Sequence, residues 1–228
     1  MIKAVIFDID DTLQDWPAAI ERALAAVLPE LPAALRSEAP AGLRRAIAER
    51  YHVARGGRVV NREHWRLLFE SPQTWQAALP EAGATLAEQV GRRFQSLLEQ
   101  LPYADARPAL VALQGGRTLA ALSNNPRSED ALARLGLREF FSTVVAAVDD
   151  WRKPDRRAFE RTCAAIGIAA AEAIYVGDSL SHDVEGALAA GMTSVWLDRY
   201  ETPGETPAGA HRIASLTELP GLVASLRG

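Results

Sequence analysis

Three carboxylates stand just past the first apolar run of the chain. The run Ala4 to Phe7 is short, and Asp8, Asp10 and Asp11 follow it within a few residues. A short apolar run bounded by charge predicts a buried strand. Because side chains alternate along an extended backbone, Asp8 and Asp10 are expected to point to the same side past the strand end. Two carboxylates held together repel each other, so the pair predicts a bound cation or a separate chemical task for one of them.

Other polar side chains stand at or just after the ends of later apolar runs. They are Ser123 with Asn124, Lys153, and Asp178 with Asp183. Ligands of open parallel sheets bind at the carboxyl ends of the strands. If the runs are parallel strands, these residues are expected to form one site together with Asp8 and Asp10.

The elements that must position these residues alternate between strand and helix from Asp105 onward. Strands are predicted at Thr118–Leu122, Thr143–Val148, Ala173–Val176 and Thr193–Leu197, with only a short apolar piece at Ile213. Helices are predicted between and after them, from Pro108, from Arg156, over Val184–Ala190 and over Leu219–Leu226. Strands that alternate with helices imply crossover connections and therefore a parallel α/β sheet.

The stretch from Trp16 to about Leu101 has a helical pattern throughout and no convincing strand. Pro17 fits a first helical turn, and further helices are predicted at Gly42–Tyr51 and from Asn61. Thr85-Leu86-Ala87-Glu88 has the spacing of a capping box and predicts a helix from there to about Gln100. This segment, inserted between the first strand and the rest, is expected to form a lid.

Composition excludes several classes of partner. The 228 residues are 48% hydrophobic and 24% charged, which is ordinary for a globular protein. A net charge of −4 gives no reason to expect nucleic acid or an anionic membrane as a partner. Cys163 is the only cysteine, which excludes an internal disulfide. The pattern of a signal peptide is absent and no apolar run could span a bilayer, so the cytoplasm is the expected location. The sequence indicates no oligomeric state.

The polar segments match a known family in type and order. Asp8-x-Asp10-x-Thr12 after an N-terminal strand resembles motif I of the haloacid dehalogenase-like (HAD) hydrolases. Leu122-Ser123-Asn124-Asn125 resembles motif II, Arg152-Lys153-Pro154-Asp155 motif III, and Val176-Gly177-Asp178 through Asp183 to Ala187 motif IV. The family often has a glycine three residues before the motif III lysine, where this chain has Asp150. The resemblance covers the whole chain.

The resemblance implies an architecture as well as an activity. It implies a Rossmann-like parallel sheet with helices on both faces, at 1–14 and 105–228, and an inserted all-helical cap at 15–104. It implies an Mg²⁺-dependent phosphatase that hydrolyses a small phosphate monoester, of sugar-phosphate or nucleotide type, through an aspartyl-phosphate. Its partner would be a small phosphorylated metabolite.

The resemblance also assigns a role to each motif residue. Asp8 would be the nucleophile and Asp10 the general acid and base. Mg²⁺ would be held by Asp8, the backbone carbonyl of Asp10, and Asp178, with Asp183 and Thr12 close by but outside the metal ligands. Ser123, Asn124 and Lys153 would bind the phosphoryl oxygens.

Three alternatives use the same fold. A 2-haloacid dehalogenase is disfavoured because that subgroup lacks the second motif I aspartate, which is present here as Asp10. A sugar phosphomutase shares all four motifs, and a non-catalytic binding protein usually loses one of them.

Substrate choice is expected to lie in the cap, where Arg55 and Arg58 flank a double-glycine loop. The spelling Asp10-Asp11-Thr12 resembles the nucleotide and acylneuraminate phosphatases more than the phosphoglycolate phosphatases.

Overall fold

The chain divides into two compact units in the computed structural model. The model describes residues 1–36, 75–76 and 79–226. The first unit combines Met1–Asp15 with Gln100–Gly228, and the second is Trp16–Glu99. The chain therefore leaves the first unit once, after its first strand, and returns to it once.

The first unit is built on a six-stranded sheet in which all neighbouring strands are parallel. In chain order the strands are β1 (Ala4–Phe7), β2 (Thr118–Ser123), β3 (Thr143–Ala146), β4 (Ala173–Gly177), β5 (Thr193–Leu197) and β6 (Ala210–Ile213). Their order across the sheet is β3-β2-β1-β4-β5-β6. β1 therefore lies inside the sheet and is buried along its whole length, which explains why its sequence is continuously apolar. This arrangement confirms the parallel α/β fold predicted from the sequence.

Helices cover both faces of this sheet. They are α3 (Ala106–Gln114), α4 (Ser128–Arg134), α5 (Arg156–Ala165), α6 (Glu185–Ala189) and α7 (Leu219–Ser225). Val5 and Phe7 of β1 face a core built with α3, α4 and α7. Ile6 faces the opposite way, into a core built with α5 and α6. The alternation of side chains along β1 thus divides the interior into two layers.

Three local features differ from the sequence-based expectation. The residues around Ile213 form a strand, β6, although only a short apolar piece is visible there. The helix predicted to begin with a capping box at Thr85 begins earlier, at Gly83, so that Thr85 lies inside it. The helix predicted from Val184 is preceded by a π-helical turn at Leu180–Val184.

The two points where the chain crosses between units lie side by side within the first unit. The backbone N–H of Asp15 donates to the carbonyl of Leu101 over 2.7 Å. Nearby, the guanidinium of Arg199 donates to both carboxylate oxygens of Asp105, at 2.9 and 3.0 Å, and to the carbonyl of Thr12 at 3.0 Å. The same guanidinium lies 3.7 Å from the ring centroid of Tyr103. Arg199 therefore ties the end of the motif I loop to the returning chain.

The second unit is helical in the residues that the structure describes. Its two longest elements there are α1 (Trp16–Val27) and α2 (Gly83–Leu97). They share an apolar core in which the ring centroids of Trp75 and Phe94 lie 5.0 Å apart. The helices predicted at Gly42–Tyr51 and from Asn61 lie outside the described residues, and so do Arg55 and Arg58. Over the described part of the chain, no helix has the length and hydropathy that crossing a membrane requires.

Candidate active site

The ammonium group of Lys153 is the centre of a buried polar cluster at the carboxyl edge of the sheet. Its Nζ donates to Asp8 Oδ1 at 2.7 Å, to Asp183 Oδ1 at 2.7 Å and to the hydroxyl of Tyr175 at 2.8 Å. Lys153, Asp8 and Asp183 are 5%, 6% and 1% exposed. Buried charges persist in proteins when they are paired and hydrogen-bonded, and this cluster meets both conditions.

Asp8 and Ser123 reach the site because they end or follow neighbouring strands. β1 pairs with β2 and β4 in register, so Phe7 lies opposite Ala121 and Val176. Asp8 therefore leaves β1 at the level where β2 and β4 also end, and its N–H donates to the Val176 carbonyl at 2.9 Å. Because the strands are parallel and in register, residues that are far apart in the chain lie close together at one edge of the sheet.

Asp10 lies beyond Asp8 and faces the end of β2. The hydroxyl of Ser123 is 3.4 Å from Asp10 Oδ2, a long contact at the limit of a hydrogen bond. The same hydroxyl accepts from the N–H of Asn125 at 3.1 Å. Asp10 is partly exposed, whereas Asp8 and Ser123 are buried, so Asp10 is the carboxylate of motif I with access to water.

Asn124 holds Lys153 by its main chain. Its side-chain oxygen accepts from the Lys153 N–H at 2.8 Å, and its Nδ2 donates to the Lys153 carbonyl at 3.0 Å. The sequence predicts that the backbone of Asn124 binds phosphate, and in the structure the side chain of Asn124 is engaged with the motif III backbone.

The loop before Lys153 has a residue with a left-handed φ of 58°. This residue is Asp149 and not Asp150, the position where the family often has glycine.

Asp183 packs directly on Gly177, the last residue of β4. A Cβ built on Gly177 would lie under 3.0 Å from three atoms of the Asp183 side chain, so only glycine leaves room for it. Asp183 Oδ2 accepts from the Ser179 N–H at 3.0 Å. The carbonyl of Asp178 accepts from the indole Nε1 of Trp196 on β5 at 3.0 Å. The π-helical turn and the neighbouring strand therefore fix both aspartates of motif IV.

Three carboxylates at this edge lie close enough together to attract one metal ion. Oxygen atoms of Asp8, Asp178 and Asp183 lie within 4.8 Å of one another. Three carboxylates and the single ammonium of Lys153 leave two negative charges, which a divalent cation would balance. Oxygen-only ligands of this kind suit Mg²⁺, so the residues present fit the metal that the sequence implies.

The electrostatics of the cluster follow from one ammonium shared by several carboxylates. Burial, reinforced by Asp183 and Asp10, outweighs the attraction of Lys153 and raises the pKa of Asp8 to about 7. Burial alone would lower the pKa of Lys153, but Asp183 and Asp8 raise it above the usual range. Burial beside the same carboxylates also raises the pKa of Tyr175 well above its ordinary value. Lys153 stays charged and Tyr175 keeps its proton.

The structure thus brings six of the predicted site residues to one edge of the sheet. They are Asp8, Asp10, Ser123, Lys153, Asp178 and Asp183. Thr12 is held there through its carbonyl, by Arg199, while its hydroxyl is buried without a hydrogen-bond partner among the described residues. Tyr175 is a site residue that the sequence does not reveal, because within the run Ala173–Val176 it has the pattern of a core residue.

Comparison with known proteins agrees with this geometry. A family model described as haloacid dehalogenase-like hydrolase matches residues 2–191. The chain is 31% identical over 209 residues to a Methanopyrus kandleri protein named glyceraldehyde 3-phosphate phosphatase, with 87% of this chain and 85% of that protein covered.

Two further similarities extend over nearly the full length. The chain is 30% identical over 241 residues to a Halopiger xanaduensis protein named ribulose-1,5-bisphosphate 5-phosphatase, covering 98% of this chain and 100% of that protein. The crystal structure of a HAD phosphatase from Thermococcus onnurineus matches with 27% identity and a TM-score of 0.63, covering 100% of both chains.

Proposed function

The chain belongs to the haloacid dehalogenase-like hydrolases, and from this membership we propose that it is an Mg²⁺-dependent phosphatase of small phosphate monoesters. The observation that carries the proposal is the buried cluster in which Lys153 is shared by Asp8 and Asp183 beside Asp178. A phosphoryl group is strongly anionic, so a site that hydrolyses its esters needs a nucleophile together with fixed positive charge. The cluster provides the nucleophile, one ammonium and an oxygen-lined place for a cation.

In the first step, Asp8 attacks the phosphorus atom of the ester. A bond forms between an Asp8 carboxylate oxygen and phosphorus as the bond from phosphorus to the substrate oxygen breaks. Asp10 gives its proton to that departing oxygen, so the product leaves as a neutral alcohol. Ser123, the backbone near Asn124, and Lys153 bind the phosphoryl oxygens and offset their charge, Lys153 with the N–H that Asp8 accepts before the reaction.

In the second step, water releases phosphate from Asp8. Asp10, now ionised, takes a proton from the attacking water, whose oxygen bonds to phosphorus while the bond to Asp8 breaks. Asp8 and Asp10 return to their starting states, and inorganic phosphate is the second product. The partial exposure of Asp10 supports its role, since both protons pass between this carboxyl group and groups outside the protein.

The metal is assigned to Asp8, the backbone carbonyl of Asp10, and Asp178. Both oxygens of Asp183 are engaged, Oδ1 with Lys153 and Tyr175 and Oδ2 with the Ser179 N–H, which supports placing Asp183 outside the metal ligands. When bound, Mg²⁺ would offset the negative charge of the carboxylates and of the phosphoryl group.

The substrate is proposed to be a small phosphate monoester of sugar-phosphate or nucleotide type, with a sugar phosphate favoured, and the proposed location is the cytoplasm. Support comes from the names of the two relatives, which denote a triose phosphate phosphatase and a pentulose bisphosphate phosphatase. We assign substrate choice to the second unit, acting as the cap, because the motif residues would bind only the phosphoryl group and the metal. From the sequence, Arg55 and Arg58 are the first candidates, and replacing either by alanine should change the ranking of natural phosphates.

The test is turnover of a panel of phosphate monoesters with added Mg²⁺ and after chelation with EDTA. Wild type should release inorganic phosphate only with the metal. Asp8→Asn should abolish turnover while keeping the fold, because an amide cannot form the acyl-phosphate, and beryllofluoride should bind wild type but not this variant. Full turnover after chelation, or in Asp8→Asn, would overturn the mechanism.

The same panel separates the alternatives. A phosphomutase would transfer the phosphoryl group to a second position of the sugar and release little inorganic phosphate. A dehalogenase would release halide from a 2-haloacid. A non-catalytic protein would bind beryllofluoride or substrate without turnover.

A further inference from the structure

The hydroxyl of Tyr175 joins three of the four motifs. It accepts from Lys153 Nζ at 2.8 Å, and it lies 3.0 Å from the carbonyl of Leu122 and 3.1 Å from Asp183 Oδ1. Leu122 immediately precedes Ser123 on β2, Lys153 belongs to motif III, and Asp183 belongs to motif IV. A single phenol oxygen, fully buried inside β4, therefore contacts parts of the site that come from different loops.

The protons of the cluster can be assigned to these contacts. An ammonium group has three N–H donors and no acceptor. In Lys153 one donor goes to Asp8, one to Asp183 and one to Tyr175. Tyr175 accepts that third N–H through a lone pair and has one proton of its own for Leu122 or Asp183. Tyr175 is the only uncharged group among the three acceptors of this ammonium.

Lysine side chains are flexible, so a lysine that must face a reacting group needs both of its ends held. Asn124 holds the main chain of Lys153 through two hydrogen bonds. At the other end, the three N–H donors of the ammonium go to Asp8, Asp183 and the phenol oxygen of Tyr175, so the loss of any one acceptor would leave the ammonium free to rotate. The ring is itself fixed edge-to-face against Phe159, with centroids 5.0 Å apart.

We propose that Tyr175 is a positioning residue that directs the ammonium group of Lys153 toward Asp8 and the phosphoryl group that Asp8 receives. This inference rests on the proposed phosphatase function. Tyr175 does not contact the substrate in this scheme. It acts through Lys153: by accepting the third N–H of the ammonium, its hydroxyl fixes the rotation of that group, so that one N–H stays directed at Asp8.

The test compares wild type, Tyr175→Phe, Lys153→Met and the double variant, with 4-nitrophenyl phosphate and Mg²⁺. Tyr175→Phe keeps the ring and removes only the hydroxyl. A hydrogen bond to a charged group corresponds to roughly a tenfold to hundredfold effect, so kcat should fall by about that factor. KM should change by less than about threefold, and the affinity for orthovanadate, a mimic of the pentacoordinate phosphoryl group, should fall in parallel with kcat/KM.

The double variant shows whether the effect passes through Lys153. If it does, Tyr175→Phe should cost nothing further in kcat, or in orthovanadate affinity, once Lys153 is methionine. Independent losses that multiply in the double variant would overturn the proposal. The proposal would also be overturned if Tyr175→Phe had the same kcat and the same orthovanadate affinity as wild type.

A matched control is available in Thr162→Val. The Thr162 hydroxyl is also fully buried and donates to one carbonyl, that of Ala158, at 2.8 Å, and Thr162 has no role in the site. This variant should lose stability but keep kcat. Failure of Tyr175→Phe to fold while Thr162→Val folds would make the phenol a structural group and overturn the proposal. A wild type that neither hydrolyses phosphate monoesters nor binds orthovanadate would instead remove the proposed function, and this inference with it.

Discussion

Replacing Gly177 by alanine should test how rigidly the site is built. The added methyl group would lie under 3.0 Å from Asp183 Cβ, Cγ and Oδ2. Asp183 cannot retreat freely, because Lys153 and Tyr175 hold its Oδ1 and the Ser179 N–H holds its Oδ2. Either the strand end is strained or at least one of these hydrogen bonds is broken.

The size of the effect follows from these alternatives. Overpacking a buried position costs about 1–3 kcal/mol, and a hydrogen bond to a charged group about 1.5–3 kcal/mol. Replacing glycine by alanine stabilises the fold by about 0.4–1 kcal/mol, because it lowers the conformational entropy of the unfolded chain. The expected net loss in the free energy of unfolding is up to about 2.6 kcal/mol if only one of these costs applies, and about 1.5–5.6 kcal/mol if both do. Because Asp183 shares Lys153 with Asp8, kcat should also fall by at least about tenfold.

Urea unfolding followed by circular dichroism would measure the stability, and phosphate release the activity. Gly115→Ala is the matched control, because a Cβ there meets nothing within 4 Å and its φ of −71° suits any residue. The control should unfold within about 0.5 kcal/mol of wild type and keep its activity. If Gly177→Ala behaves like Gly115→Ala, the close packing of Asp183 on β4 does not exist in solution.

Three further predictions address separate groups. Asp10→Asn should slow the hydrolysis of alkyl phosphates more than that of 4-nitrophenyl phosphate, whose leaving group needs less protonation, and equal losses would show that Asp10 transfers no proton. Asp178→Asn should raise the Mg²⁺ concentration for half-maximal activity, and an unchanged metal titration would remove Asp178 from the ligand set. Burial would raise the pKa of Asp105, but hydrogen bonds from Arg199 and Ser215 lower it overall. Its contribution to stability is therefore complete above the unfolded pKa of 3.8 and is lost as the pH falls through the lower folded value. The stability difference between wild type and Asp105→Asn should shrink below about pH 4, and a constant difference would contradict the shift.

The strands could be predicted where burial on both faces makes the sequence largely apolar. β1, β2, β4 and β5 are of this kind, and each lies at its predicted place within a residue or two. β6 is an edge strand with the sequence Ala-His-Arg-Ile, whose two central residues are polar, so its pattern resembles a loop. The start of α2 was also missed, because the spacing of a capping box at Thr85 also occurs inside a helix.

The site residues that the sequence reveals are those with charged or polar side chains at strand ends. Asp8, Lys153 and Asp183 could be named because they lie at or after strand ends and because the motifs that contain them resemble those of the family in type and order. The hydrogen bonds between these three residues could not be predicted, because each bond depends on the register of strands that are far apart in the chain. Tyr175 gave no signal, since a tyrosine inside an apolar run is typical of a core. Its role becomes visible only when the ends of β2 and β4 are placed side by side.

The backbone hydrogen bond between Asp15 and Leu101 holds together the two places where the second unit joins the first, so the second unit is an insertion that can be exchanged. Its two attachment points are already adjacent in the first unit, so the insertion need not close any gap in it. Exchanging Trp16–Glu99 for the corresponding segment of a relative should therefore leave the sheet unstrained, and a few glycines could bridge the same points. A short bridge would also lower the entropic free-energy cost of closing this loop by about 2 kcal/mol. With substrate choice assigned to the second unit, as proposed above, such an exchange would change substrate choice without changing the site residues at the carboxyl edge of the sheet.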